Sequence, residues 1–280
     1  MADMPFRWTV ARREQLGSLV EGRSRHIPAD YLAELRRSAA RLIALSGGAD
    51  PVFVGRSPES HYDYLSGMFE GVAEAPEPVL FQYSGRGIDV ADVDPVALRT
   101  LTAYLATLSI DPSGIMSRRR GVVFCDLVAR GSTFDGIVGL LERLCRETGT
   151  DWPVLQRRIA FLGMTARTKN SPNAWRWTQH RPWADDAPHI RVASVSVEWW
   201  FWDELGNAEA KTTRSHHARR WADPAGPGRG ERNLNALARA LALHERARTT
   251  EERVLFTAEL TSQDNMSERW LRALIGALRR

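Results

Sequence analysis

Three times between residues 50 and 145 a short apolar run is followed by a segment whose apolar residues recur at helical spacing. No other feature restricts the fold as much. Val52-Phe53-Val54 precedes a segment with His61, Leu65, Met68 and Phe69 on one face; Ser57 suits its N-cap and Pro58 its first helical position. Val79-Leu80-Phe81-Gln82-Tyr83 precedes Asp94-Pro95 and the periodic Leu98, Leu101, Leu105 and Leu108. Val122-Val123-Phe124-Cys125 precedes Ser132, expected to cap a helix bearing Ile137, Leu140, Leu141 and Leu144, with Asp135 completing a capping box. A first helix with Leu32, Leu35, Ala39, Leu42 and Ile43 stops at Gly47-Gly48, and Ile159-Ala160-Phe161-Leu162 supplies a fourth strand. Strands alternating with amphipathic helices predict an α/β fold with a parallel sheet over residues 25–168.

Residues 169–280 read differently. Seven of the ten tryptophans lie between Trp175 and Trp221. From Val192 the chain alternates, with Val195, Val197, Trp199 and Phe201 on one side, which predicts a strand running through Phe201. Residues 222–230 read as a loop, and the last fifty residues as helices carrying Leu234, Leu237 and Leu241, then Val254, Leu255 and Ala258, then Trp270, Leu271, Leu274 and Leu278.

Composition removes several classes. No apolar run approaches the roughly 18 residues that span a bilayer, and the first fifteen residues hold no signal-like apolar segment. Cys125 and Cys145 are too few for a disulfide framework, so both are expected free, in a cytoplasmic protein. The net charge of +4 rests almost wholly on arginine, with Lys169 and Lys211 the only lysines. Such a balance reflects base composition of the gene as readily as a nucleic-acid partner, and none is expected.

The segment richest in chemistry is Val122 to Thr133. A buried strand ends in Asp126; a loop of small residues follows and runs into a helix. At the carboxyl end of a parallel strand such a loop faces the ligand crevice. The hydroxyls of Ser132 and Thr133, the bare backbone of Gly131 and the helix N-terminus together suit a phosphate. Asp126 stands where a sugar hydroxyl or a Mg²⁺ ion could be held. The plainer reading is an αβ unit in which Asp126 only caps a turn.

This stretch resembles the phosphoribosyl pyrophosphate (PRPP) signature of the type I phosphoribosyltransferases: apolar strand, paired acids, then a short loop ending in small residues and Thr. The resemblance covers the α/β core and implies a transferase that moves the 5-phosphoribosyl group from PRPP to a small-molecule acceptor, with Mg²⁺. It implies that Asp126 is the second acid and catalytic, and that Ala129, Arg130, Gly131, Ser132 and Thr133 cradle the 5-phosphate. The turn Gly55-Arg56-Ser57 would hold pyrophosphate, and Arg86 would sit in a mobile loop closing over substrate; a plain turn arginine is the alternative. The Trp-rich stretch would form the acceptor-binding hood, and a homodimer is compatible with the class. Two positions depart from the pattern: Cys125 replaces the first acid and Arg130 a small hydroxyl residue. A PRPP- or nucleotide-sensing protein without chemistry is therefore the competing reading. Arg118-Arg119-Arg120 reads as a solvated run or a pyrophosphate contact, and His216-His217 as loop residues or acid–base groups.

Overall fold

The computed structural model describes residues 5–85, 93–167, 177, 181, 183–216 and 228–280. In chain order the elements are α1 (Ala29–Leu45), β1 (Asp50–Val54), α2 (Glu59–Met68), β2 (Val79–Phe81), α3 (Pro95–Thr107), α4 (Pro112–Ser117), β3 (Val122–Leu127), α5 (Ser132–Thr148), α6 (Trp152–Gln156), β4 (Ile159–Ala166), β5 (Arg191–Val197), α7 (Trp199–Asp203), α8 (Glu231–Ala247), α9 (Thr250–Thr261) and α10 (Arg269–Leu278).

The strands form one all-parallel sheet in the order β2-β1-β3-β4-β5. The alternation along β3 divides the core into two layers. Val123 and Cys125 face the layer built from α1, α2 and the C-terminal helices, where Leu35, Tyr64, Phe256 and Leu271 are buried. Val122 and Phe124 face α3 and α5, with Leu101, Phe134 and Leu141. Helices on both faces are what a parallel sheet buried on both sides requires. The strand beginning at Arg191 is the fifth of this same sheet, and the C-terminal helices cover one of its faces.

Several local expectations need correction. The last strand ends at Val197 and the chain turns helical at Trp199, so Trp199 is exposed while Phe201 is buried. Trp199 stacks on Trp202, and the Trp202 indole reaches back to the Met164 carbonyl at 3.2 Å, which stops the extended run. Ser57 does not cap α2; Pro58 takes the cap position without a side-chain bond. Ser132 is the first residue of α5 rather than its cap, because Gly131 occupies that position in the left-handed region at φ 76°. Asp135 is drawn away from a capping box by Arg181 and Trp183. Arg118 is neither solvated nor near the loops after β1 and β3: it is almost buried and pairs with Asp50 at 2.9 Å at the amino end of β1. Arg120 holds the carbonyls of Glu74 and Ala75.

Candidate functional site

The sheet order reverses direction between β1 and β3. In doubly wound sheets, ligands bind outside the carboxyl ends of the strands at that switch point. The loops leaving it are Gly55-Arg56-Ser57 after β1 and residues 128–131 after β3, so the two segments singled out in the sequence leave neighbouring strands.

In the second loop, the Asp126 carboxylate accepts the Leu127 N–H at 2.7 Å, and the Thr133 hydroxyl on the first turn of α5 favours its ionised form. Its carboxyl is pushed up to about 7, chiefly by burial; the Thr133 hydroxyl and the Leu127 N–H only partly offset that. Ala129 and Arg130 are exposed, Ser132 and Thr133 half-buried, and Gly131 buried. Gly131 is fixed from behind. The Arg181 guanidinium donates to its carbonyl at 2.6 Å and pairs with Asp135 at 2.6 Å, and a Cβ on Gly131 would lie 2.4 Å from that guanidinium. Arg181 also bonds the Trp177 carbonyl and lies over its indole. The loop thus presents a cation and two hydroxyls at a helix N-terminus, over one carboxyl that titrates near neutrality. That chemistry suits an anion best when Asp126 is protonated, and a polyol or developing cation when it is ionised.

The first loop turns at Gly55, φ 74°, whose N–H donates to the Phe81 carbonyl. Arg56 is exposed and reaches the Thr213 carbonyl at 3.4 Å; the Ser57 carbonyl accepts from Lys211 at 3.3 Å. These partners belong to a feature the sequence reading missed. The chain from Trp202 to His216 crosses the carboxyl edge of the sheet: Trp202 on Met164, Gly206 on Leu127, Lys211 on Ser57, Thr213 on Arg56, and the His216 carbonyl on the Ser84 N–H at 2.9 Å. It is anchored by buried charges. Glu59 accepts from the Thr212 N–H and from both threonine hydroxyls, and Glu209 takes Tyr31, Ser60 and Lys211. Lys211, one of only two lysines in a chain whose positive charge is otherwise arginine, was the available signal.

Cys125, at the place of the first acid, is turned away from α5 into the opposite core layer, with its thiol pushed up by burial and by Asp126. Cys125 and Cys145 are both free and buried, as expected. Arg86 and His217 lie outside the described residues, while His216 is buried. Among the described residues no three His, Cys, Asp or Glu side chains gather to hold a metal. One carboxyl, half-protonated near pH 7, is a poor match for a Mg²⁺ site held by the protein alone. Among the described residues no helix is long and apolar enough to cross a membrane.

Fold and loops together define a doubly wound, all-parallel α/β protein whose candidate ligand site is a helix N-terminal loop at the switch point. Comparison with family models, with curated proteins and with solved structures gives no match, so the functional reading rests on these residues.

Proposed function

We propose that the protein transfers a 5-phosphoribosyl group from PRPP to a small-molecule acceptor. The observation that carries this reading is the position of Asp126: a buried carboxyl near the end of β3, followed by a hydroxyl-bearing loop at the N-terminus of α5, on the strand beside the one that ends in the turn Gly55-Arg56-Ser57. In the reaction the acceptor's lone pair forms the new bond to C1 of the ribose. The bond from C1 to the pyrophosphate oxygen breaks with its electron pair leaving on pyrophosphate, and the acceptor gives up its proton to solvent. Ala129 to Thr133 bind the 5-phosphate, Arg56 meets pyrophosphate, and ionised Asp126 stabilises the oxocarbenium-like charge at the ribose. Mg²⁺, implied by the resemblance, would have to arrive with the pyrophosphate, and no step here depends on it.

The test is pyrophosphate release from PRPP with a panel of acceptors. Turnover should rise with pH through about 7 as Asp126 ionises. Asp126→Asn should lower turnover by about a hundredfold and abolish that limb. Arg130→Ala should mainly weaken PRPP binding, because its phosphate contact is present before and during reaction. Near wild-type transfer by Asp126→Asn would refute the assignment. A second reading, a PRPP or nucleotide sensor, is favoured by the buried, inward-facing Cys125, which supplies no charge where the family has its first acid. PRPP binding without pyrophosphate release for any acceptor would select it.

A further inference from the structure

The segment from Trp202 to His216 lies beyond residues 25–168, where the family resemblance rests, and it carries a cation without a partner. Arg214 is exposed and, among the described residues, makes no ion pair or hydrogen bond. Contacts on either side of it fix its place. Lys211 donates to the Ser57 carbonyl at 3.3 Å, Arg56 to the Thr213 carbonyl at 3.4 Å, and the Ser84 N–H to the His216 carbonyl at 2.9 Å. The chain therefore runs from the loop after β1 to the segment after β2, and Arg214 stands between them. The segment after β2 in turn leans on α5, since a Cβ on Gly136 would lie 2.7 Å from the Tyr83 hydroxyl. Arg214 thus occupies the carboxyl edge of the sheet, among the elements that frame the candidate site.

Arg56 is exposed as well, and the carbonyl it reaches is the one joined to the Arg214 amide. Two guanidiniums are borne by backbones in contact. Their footing is fixed: Thr212 and Thr213 are buried, and Glu59 accepts from the Thr212 N–H and from both hydroxyls. The acids around this footing are already matched. Glu59 serves the threonines, Glu209 takes Lys211, Tyr31 and Ser60, and Asp63 pairs with Arg7 at 2.7 Å. None of them is left to neutralise Arg56 or Arg214. Two such cations suit an anion with two charged groups, and the guanidinium fork matches phosphoryl oxygens.

We propose that Arg214 is a second contact to pyrophosphate, so that Arg56 and Arg214 each hold one of its two phosphoryl groups. The inference rests on the phosphoribosyl reading and adds to it a residue from outside the loops after β1 and β3. Orthophosphate offers one phosphoryl group and cannot engage both arginines in this way. The pair is therefore a device for selecting the diphosphate.

Calorimetric titration of the full chain with inorganic pyrophosphate and with orthophosphate, Mg²⁺ present in both, tests this. Pyrophosphate should bind the wild type more tightly by about tenfold or more. Arg214→Gln should weaken pyrophosphate about tenfold, the effect of one lost charge-assisted contact, and orthophosphate by no more than about threefold. Arg214→Lys keeps the charge without the fork and should recover only part of the loss. Arg119→Gln, which changes an exposed arginine before the amino end of β3, should alter neither titration. Weaker pyrophosphate binding in Arg56→Gln but wild-type binding in Arg214→Gln would overturn this inference alone. Equal weakening of both anions by Arg214→Gln would reduce Arg214 to a general surface charge and also overturn it. No pyrophosphate binding by the wild type, or wild-type binding by both variants, would remove it together with the placing of pyrophosphate at the β1 turn. Thermal melting should find the Arg214 variants as stable as the wild type, because this side chain holds no other residue in place.

Discussion

The loops after β1 and β3 leave neighbouring strands at the same end of the sheet, yet they are held by different means. The loop after β3 draws mainly on its own strand and helix, with Asp126 and Thr133 seven residues apart; from farther along the chain the Met164 carbonyl takes the Val128 N–H at 2.9 Å and Arg181 holds the Gly131 carbonyl. The loop after β1 is held by residues more than 150 positions away, through Lys211 on Ser57 and Thr213 on Arg56. A locally closed loop keeps its shape as long as its own strand and helix stand. A loop closed at long range depends on the folding of a distant segment, so its shape can be altered without touching it.

The largest expected effect breaks the distant side-chain support that Arg181 gives the β3 loop. Arg181 has a side chain only 4% exposed and serves the Gly131 carbonyl, the Asp135 carboxylate and the Trp177 carbonyl at once. Arg181→Ala should lower stability by about 3 kcal/mol in urea titrations, for a lost buried pair and the space left behind. Asp135 is one-third exposed and keeps the Trp183 indole as a partner, which limits the loss. A change under about 1 kcal/mol would mean that the loop is self-sufficient and would sharpen the contrast further.

This difference also explains what could be read from the sequence. Short apolar runs and helical periodicity are local signals, and β1, β2, β3, β4, α3 and α5 follow them. Asp126 and Thr133 were visible because their relation is set by one strand, one tight loop and one helix. Trp199 and Phe201 fit strand alternation, but the pattern does not encode the indole bond from Trp202 to Met164 that accompanies the turn into α7. Nor could it show that Ser132 yields the cap to Gly131, because the cause is an arginine fifty residues later. Charges were misread for the same reason. Arg118 looks like one of three surface arginines until the fold sets it against Asp50.

An intermediate effect tests whether the β3 loop stores the cost of a buried acid. The folded carboxyl of Asp126 titrates near 7, well above its ordinary value, so the folded state binds this proton more tightly than the unfolded chain does. Its contribution therefore favours folding in acid and is lost as pH rises from about 4 to about 7. Asp126→Asn removes that titration and keeps an oxygen for the Leu127 N–H. The variant should be more stable than the wild type by on the order of 2 kcal/mol at pH 8, with the difference vanishing near pH 4. Equal stability of the two proteins across that range would show that Asp126 is well solvated, and the loop would lose its claim to a tuned acid.

The smallest expected effect lies in the β1 loop and concerns Lys211. Its ammonium is almost buried, paired with Glu209 at 2.5 Å and donating to the Ser57 carbonyl at 3.3 Å. Methionine has similar length and keeps the apolar stem, so Lys211→Met removes the charge and the donors with little change in volume. Glu209 retains Tyr31, Ser60 and Arg239, which keeps the loss to about 1 kcal/mol. Burial alone would raise the Glu209 carboxyl, but Lys211 and Arg239 outweigh it and hold the group below its ordinary range. The stability tied to this depressed acid is present above its unfolded value and lost as pH falls through the folded one, so the deficit of Lys211→Met should be full at neutral pH and shrink in acid. Backbone amides of residues 55–58 should exchange faster with solvent in the variant, while those of residues 128–133 keep their rates, because the two loops do not share this support. Equal acceleration in both loops would show that the segment from Trp202 to His216 braces the whole carboxyl edge as one body, and the distinction between the two loops would fall.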